Sequence, residues 1–156
     1  MKLNVTVNDE KKIFEIDIKD SLMDVLRKNG YTSVKHGCET GECGACTVVL
    51  NGNTVNTCIY PAIKAEDASI ITCEGLEKNG KLSTLQEKFI QMGAIQCGYC
   101  TPGMLLSAYA LLLKNPKPSL DDVKDAISGN FCRCTGYKKP IDAIMAAASE
   151  MGGVKK

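Results

Sequence analysis

The sequence predicts an α+β chain in two parts, and three observations carry the prediction. Residues 3–8 and 13–18 alternate apolar and polar with a period of two. Beyond residue 82 the apolar positions recur with a period near 3.6 instead. Between these regimes Glu77-Lys78-Asn79-Gly80-Lys81 is polar and glycine-bearing, as a linker is. The boundary therefore falls near residue 77, giving domains 1–77 and 78–156.

In the first part, Asn8-Asp9-Glu10-Lys11 is a polar turn joining two strands as a hairpin. Ser21-Leu22-Met23-Asp24 opens a helix by side-chain capping; Leu22, Val25 and Leu26 form one face, and Asn29-Gly30 ends it. A long loop then carries Cys38, Cys43 and Cys46, followed by the strand-like Thr47–Leu50 and by Cys58. A last strand spans residues 69–73. The C-x4-C-x2-C spacing with a fourth cysteine further on is that of plant-type [2Fe–2S] ferredoxins. Gly37, Gly41 and Gly44 let the backbone approach the cluster and turn several N–H groups towards its sulfurs. A zinc knuckle would show C-x-x-C pairs on both sides.

In the second part, Ser83-Thr84-Leu85-Gln86 opens a helix to about Met92. Thr101 is placed as an N-cap, with Pro102 at the first helical position of a helix through Leu113. Asn115-Pro116-Lys117-Pro118 breaks it, Ser119-Leu120-Asp121-Asp122 caps a third, and a fourth runs from about Pro140 to Met151. Four short helices in sequence predict a compact bundle. The tail from Gly152 to Lys156 is expected to fray. Cys97 and Cys100 stand before the second of these helices, and Cys132 and Cys134 before the last. Four thiolates from two turns can close one sulfur-ligated centre, and spacing alone leaves [2Fe–2S], [4Fe–4S] and zinc open. Two helix N-termini near one anionic cluster favour its reduced state. This predicts a less negative potential than a ferredoxin-type site would have in the open.

Composition narrows the class. Lys plus Arg number 19 against 18 Asp plus Glu, which argues against a nucleic-acid partner. No apolar run reaches the roughly 18–20 residues of a membrane span, and the start carries no signal-peptide pattern, so a cytoplasmic location is expected. Nine cysteines in that compartment point to metal binding rather than disulfides. The count is odd, and Cys132-Arg133-Cys134 is too tight for a relaxed bridge. The single histidine, His36, excludes a Rieske centre, which needs two.

Residues 37–48, Gly-Cys-Glu-Thr-Gly-Glu-Cys-Gly-Ala-Cys-Thr-Val, resemble the β-grasp ferredoxin domain of the xanthine oxidase family of molybdenum hydroxylases. Residues 96–103, Gln-Cys-Gly-Tyr-Cys-Thr-Pro-Gly, and 132–137, Cys-Arg-Cys-Thr-Gly-Tyr, resemble its second, helical iron–sulfur domain. The resemblance covers about residues 3–149 and matches the family's separate small subunit. It implies [2Fe–2S] clusters at both Cys38/Cys43/Cys46/Cys58 and Cys97/Cys100/Cys132/Cys134. It implies that Gln96 and Cys134 contact a molybdopterin cofactor held by a large subunit. It also implies a medium subunit carrying FAD, in a heterotrimer or a dimer of heterotrimers. Electrons would pass from the molybdenum centre through the second cluster and then the first to the flavin, during hydroxylation of a purine, N-heterocycle or aldehyde. The chain would do no substrate chemistry of its own. The same subunit type would serve a carbon monoxide dehydrogenase or a reductive aromatic thioester dehydroxylase. The rivals from other classes are a free-standing ferredoxin and a zinc-binding module.

The remaining candidates take plainer readings. Cys73 is a small buried strand residue, His36 a solvated loop histidine, and Lys138-Lys139 a solvated helix start. Tyr99 and Tyr137 pack over the second cluster. Arg133 either offsets cluster charge or meets a partner. The apolar run Met104–Leu113 is buried in the bundle or against another subunit. Pro140 stands where the family more often has an aliphatic residue, and at a helix start it is harmless.

Overall fold

Strand β1 (Lys2–Val7) pairs antiparallel with β2 (Glu10–Glu15), setting Leu3 opposite Phe14 and Val7 opposite Glu10. The hairpin is tighter than its sequence suggests. In the computed structural model, which describes residues 1–153, Asn8 and Asp9 both have positive φ, 51° and 68°. Two such residues close a two-residue turn whose twist suits the strands. The second strand therefore begins at Glu10 and ends at Glu15, three residues ahead of the predicted 13–18.

Helix α1 (Leu22–Lys28) crosses one face of the sheet with Leu22, Met23, Val25 and Leu26 buried. Its N-cap Ser21 accepts from the Asp24 amide at 3.1 Å and donates to the Asp24 carboxylate at 2.6 Å. Burying a side chain such as Leu contributes roughly 2 kcal/mol before ordering entropy, so this face dominates the helix's stability. After the cysteine loop come β3 (Thr47–Leu50), β4 (Asn53–Asn56) and β5 (Ser69–Ile71). The sheet order is β2-β1-β5-β3-β4, with β1 and β5 parallel and the other pairs antiparallel. Strand β4 escaped the sequence reading because Asn-Thr-Val-Asn at an edge has no apolar face to betray it. The predicted strand 69–73 stops at Ile71. Cys73 instead opens a 3₁₀ turn, Cys73–Leu76, that leads away from the sheet.

The helical part contains α2 (Thr84–Gln91), α3 (Thr101–Lys114), α4 (Leu120–Ile127) and α5 (Lys138–Gly153). Ser83 with Gln86 and Ser119 with Asp122 form reciprocal capping boxes. Thr101 does not cap α3. It is the first helical residue, Cys100 holds the cap position, and no side chain closes that end. Helix α5 starts at Lys138, so Pro140 lies inside its first turn, where no amide partner is lost. Gly152 and Gly153 close α5, and residues 154–156 of the expected frayed tail lie outside the described residues.

Two apolar cores result, and the sheet belongs to both. Leu3, Val5, Phe14, Leu26, Val48 and Ile70 fill the first, under α1. Phe89, Met104, Leu106, Val123, Ile127 and Ile144 centre the second. Val49 of β3 joins the second core, with Ile71 packed against it. The apolar α3 is thus covered within the chain, by the bundle on one side and the back of the sheet on the other. No helix among the described residues is long and apolar enough to cross a membrane.

Candidate metal centres

The ferredoxin-type loop is a cage of amides around sulfur. Cys38 Sγ accepts from the backbone N–H of Thr40, Glu42 and Cys43 at 3.4, 3.3 and 3.3 Å. Cys43 Sγ accepts from the Cys38 amide at 3.3 Å, and Cys46 Sγ from the Cys58 amide at 3.5 Å. Gly37 makes room for this: a Cβ there would lie 2.5 Å from Cys43 Sγ. The Thr57 hydroxyl donates to the Cys46 carbonyl at 2.8 Å and fixes the turn that brings Cys58 in. The hydroxyl of Thr40, with the amides of Cys43, Thr40 and Glu42, pulls the Cys38 thiol down to about 5. Burial, then hydrogen bonding from Cys46, pushes Cys58 up to about 11. A cage of donors suited to thiolate sulfur is what an anionic cluster requires.

The second group of thiols sits in a cavity of about 450 Å³ lined by Cys97, Cys100, Cys132 and Cys134 and walled by Tyr99, Phe131 and Tyr137. Cys100 and Cys132 are half-buried, whereas Cys97 and Cys134 are exposed at the mouth beside the exposed Gln96 and Arg133. Cys132 Sγ meets the Thr135 hydroxyl at 3.1 Å and the Thr135 amide at 3.4 Å. Tyr137 has φ 67° and accepts the Cys132 amide on its hydroxyl at 2.9 Å. Burial and then Cys132 push the Cys100 thiol up to about 12. At Cys132 burial pushes upward too, but bonds from Thr135, Cys134 and Cys100 outweigh it and leave the thiol below its ordinary value. Hydrogen bonding with Cys97 raises Cys134.

Among the described residues no three such side chains converge on a single ion position. The sulfurs are set out in neighbouring pairs instead, each close enough for one thiol to raise the other: Cys46 beside Cys58, Cys132 beside Cys100, and Cys97 beside Cys134. A two-iron cluster divides its four thiolates between two irons, so the paired donors and the amide cage fit that group.

The two centres are joined by a hydrogen-bonded seam. The Phe131 amide donates to the Cys43 carbonyl at 2.9 Å, and the Asn130 amide nitrogen donates to the Gly44 carbonyl at 3.1 Å. The Tyr99 hydroxyl donates to the His36 carbonyl, and the Lys35 ammonium stands 5.4 Å from the Tyr99 ring centroid. Tyr99 therefore straps the two loops together, as well as walling the cavity. His36 is exposed and meets Glu39 at 2.8 Å. Cys73 lies half-buried against the second core, with burial pushing its thiol up to about 11. The sequence reading missed Asn130, Thr135 and Phe131. Asn130 and Phe131 touch loop residues more than eighty positions away, and nothing local marks that.

Two family models match the chain. Residues 5–76 match the 2Fe-2S iron-sulfur cluster binding domain and residues 72–145 the [2Fe-2S] binding domain. The nicotinate dehydrogenase small FeS subunit of Eubacterium barkeri is 51% identical over 146 residues, 93% of each chain. The xanthine dehydrogenase iron-sulfur-binding subunit of Escherichia coli is 44% identical over 80% of this chain and 79% of its own. Among solved structures, quinoline 2-oxidoreductase from Pseudomonas putida superimposes with a TM-score of 0.93 at 43% identity, covering 97% of this chain and 96% of the matched one.

Proposed function

The chain belongs to the small iron–sulfur subunits of the xanthine oxidase family of molybdenum hydroxylases, and from that premise we propose how its two sites divide the work. Cys38, Cys43, Cys46 and Cys58 hold one [2Fe–2S] cluster, on the β-grasp part, 1–77. Cys97, Cys100, Cys132 and Cys134 hold the second, on the helical part, 78–156. When bound, the two clusters supply one-electron carriers in series.

The observation that carries the direction is the unequal exposure of the second site. Cys97 and Cys134 open to the surface beside Gln96, while Cys100 and Cys132 face inward and the residue before Cys132 is bonded to the Cys43 carbonyl. The open side suits a redox partner, and the closed side leads to the other loop. We place a large molybdenum subunit at the open side, with the Gln96 amide and Cys134 against its molybdopterin. Gln96 both donates and accepts, as a pterin edge requires. A medium FAD subunit takes the electrons from the ferredoxin-type loop, in a cytoplasmic heterotrimer or a dimer of them. The relatives point to an N-heterocycle or purine as what the complex hydroxylates, and the family resemblance adds an aldehyde.

The test is affinity purification of the chain from its source, followed by metal analysis. Two larger chains arriving with molybdenum, flavin and about four irons per copy are expected. A lone chain with iron would instead be a free-standing carrier, and a lone chain with zinc would sink the electron-transfer reading.

A further inference from the structure

We infer that Asn130 is a positioning residue for electron passage between the two centres: it clamps the loop of one to the loop of the other, so that the Phe131 amide stays bonded to the Cys43 carbonyl. The inference rests on the two-cluster reading above.

Asn130 is 2% exposed, and both hydrogens of its side-chain nitrogen have acceptors: the Gly44 carbonyl at 3.1 Å and the Thr47 hydroxyl at 3.3 Å. Its own amide donates to the Ile127 carbonyl at 2.9 Å, tying it to the end of α4. The next amide along, that of Phe131, takes the preceding carbonyl of the loop, Cys43. Successive donors thus hold successive carbonyls, which fixes orientation as well as distance. The slot is shaped for this side chain. A Cβ on Gly44 would lie 2.6 Å from the Asn130 nitrogen, and one on Gly103, in the first turn of α3, would lie 3.0 Å from it. Three segments that carry proposed ligands therefore meet at one buried amide.

What the clamp secures is a short chain of bonds. From Cys43 Sγ it runs through that residue's carbonyl, across one hydrogen bond to the Phe131 nitrogen, and on to Cys132 Sγ. The step concerned moves one electron, oxidising one centre and reducing the other, with no bond made or broken. Its single non-covalent link is the one Asn130 holds. A residue that only filled space at the seam would affect stability and leave the speed of this step alone.

The test uses the full chain with both centres loaded. A pulse of a low-potential radical reductant starts the reaction, equilibration between the centres is followed, and reduced-state EPR reports each centre separately. Asn130→Asp keeps the shape, removes the donors and sets an acceptor against the Gly44 carbonyl. Thr47→Val is the milder variant, removing one acceptor. About four irons per chain and two EPR signals are expected throughout. Equilibration should slow on the order of tenfold in Asn130→Asp and a few-fold in Thr47→Val. Intact signals with unchanged equilibration in both variants would overturn the inference. So would loss of a centre's signal in both, which would make Asn130 a folding residue. A wild-type chain lacking two distinct signals would overturn the two-cluster reading, and the inference with it.

Discussion

The two cysteine sites hold the same kind of donor in opposite ways. The ferredoxin-type loop wraps its sulfurs in amides: five of the N–H bonds described above end on Cys38, Cys43 or Cys46. The helical site gives its sulfurs apolar and aromatic walls, two helix starts and an open mouth, and the bonds to Cys132 from nearby in the chain come from Thr135 and Cys134. A loop has free amides to spend on sulfur; a helix keeps all but its first few for itself. The first site is thus furnished mainly by backbone amides, with the Thr40 hydroxyl beside them, and the second mainly by its walls and by the hydroxyls of Thr135 and Tyr137.

The largest expected effect comes from removing a ligand. Cys43→Ser should lower iron from about four to about two per chain, abolish the ferredoxin-type EPR signal and leave the helical one. Loss of both signals would mean that the two sites do not form independently.

Next comes the backbone packing of each site. Gly44 has φ +70°, and a Cβ there would run into the Gly129 carbonyl and the Asn130 amide. Gly136 in the second site has φ +60° but open space around it. Gly44→Ala should therefore cost about 3 kcal/mol or more, through strain plus overpacking, and Gly136→Ala about 1 kcal/mol, through strain alone. Chemical denaturation midpoints of the two variants check the ratio, and equal losses would show that the seam is not tightly packed.

Redox potential sharpens the comparison further. Helix N-termini favour the reduced state of the second centre, but direct N–H bonds to sulfur do the same at the first and are more numerous. We expect the ferredoxin-type centre to have the less negative midpoint in an EPR-monitored titration. Thr135→Val removes a hydroxyl from Cys132 and should lower only the other midpoint, by about 20–60 mV, the equivalent of one hydrogen bond. A shift in both centres would contradict the division of labour.

The smallest effect lies in the anchor of the first loop. Glu74 accepts from the Ser33 amide at 2.9 Å and from its hydroxyl at 2.5 Å. Partial burial pushes its carboxyl up, but bonds from Ser33 and Thr72 outweigh this and hold it below the ordinary value of 4.5. Its contribution is therefore present above about pH 4.5 and lost as pH falls through the lowered value. Glu74→Gln should cost about 1 kcal/mol at pH 7 and flatten that acid dependence, as denaturation midpoints at pH 7 and below 4.5 will show.

Much of this was legible in the order of residues. The change of period near residue 80 separates sheet from bundle, Ser83 and Ser119 announce their helices, and eight of nine cysteines fall into two spacings. The misses share a cause. Asn8 and Asp9 tighten a turn through their backbone angles, and Thr101 loses the cap to Cys100. Edge strand β4 has no apolar alternation to show.

The sequence by itself determined the grouping of the cysteines along the chain and the fold of each half, because spacing, period and capping act within a few residues. Tertiary structure alone decided that α3 lies on the back of the sheet, and that the second site opens at Cys97 and Cys134 and closes at Cys132. It alone set Asn130 on Gly44, 86 residues away. These are contacts between surfaces. They exist only once both halves have folded, and no local pattern encodes which surface another will meet.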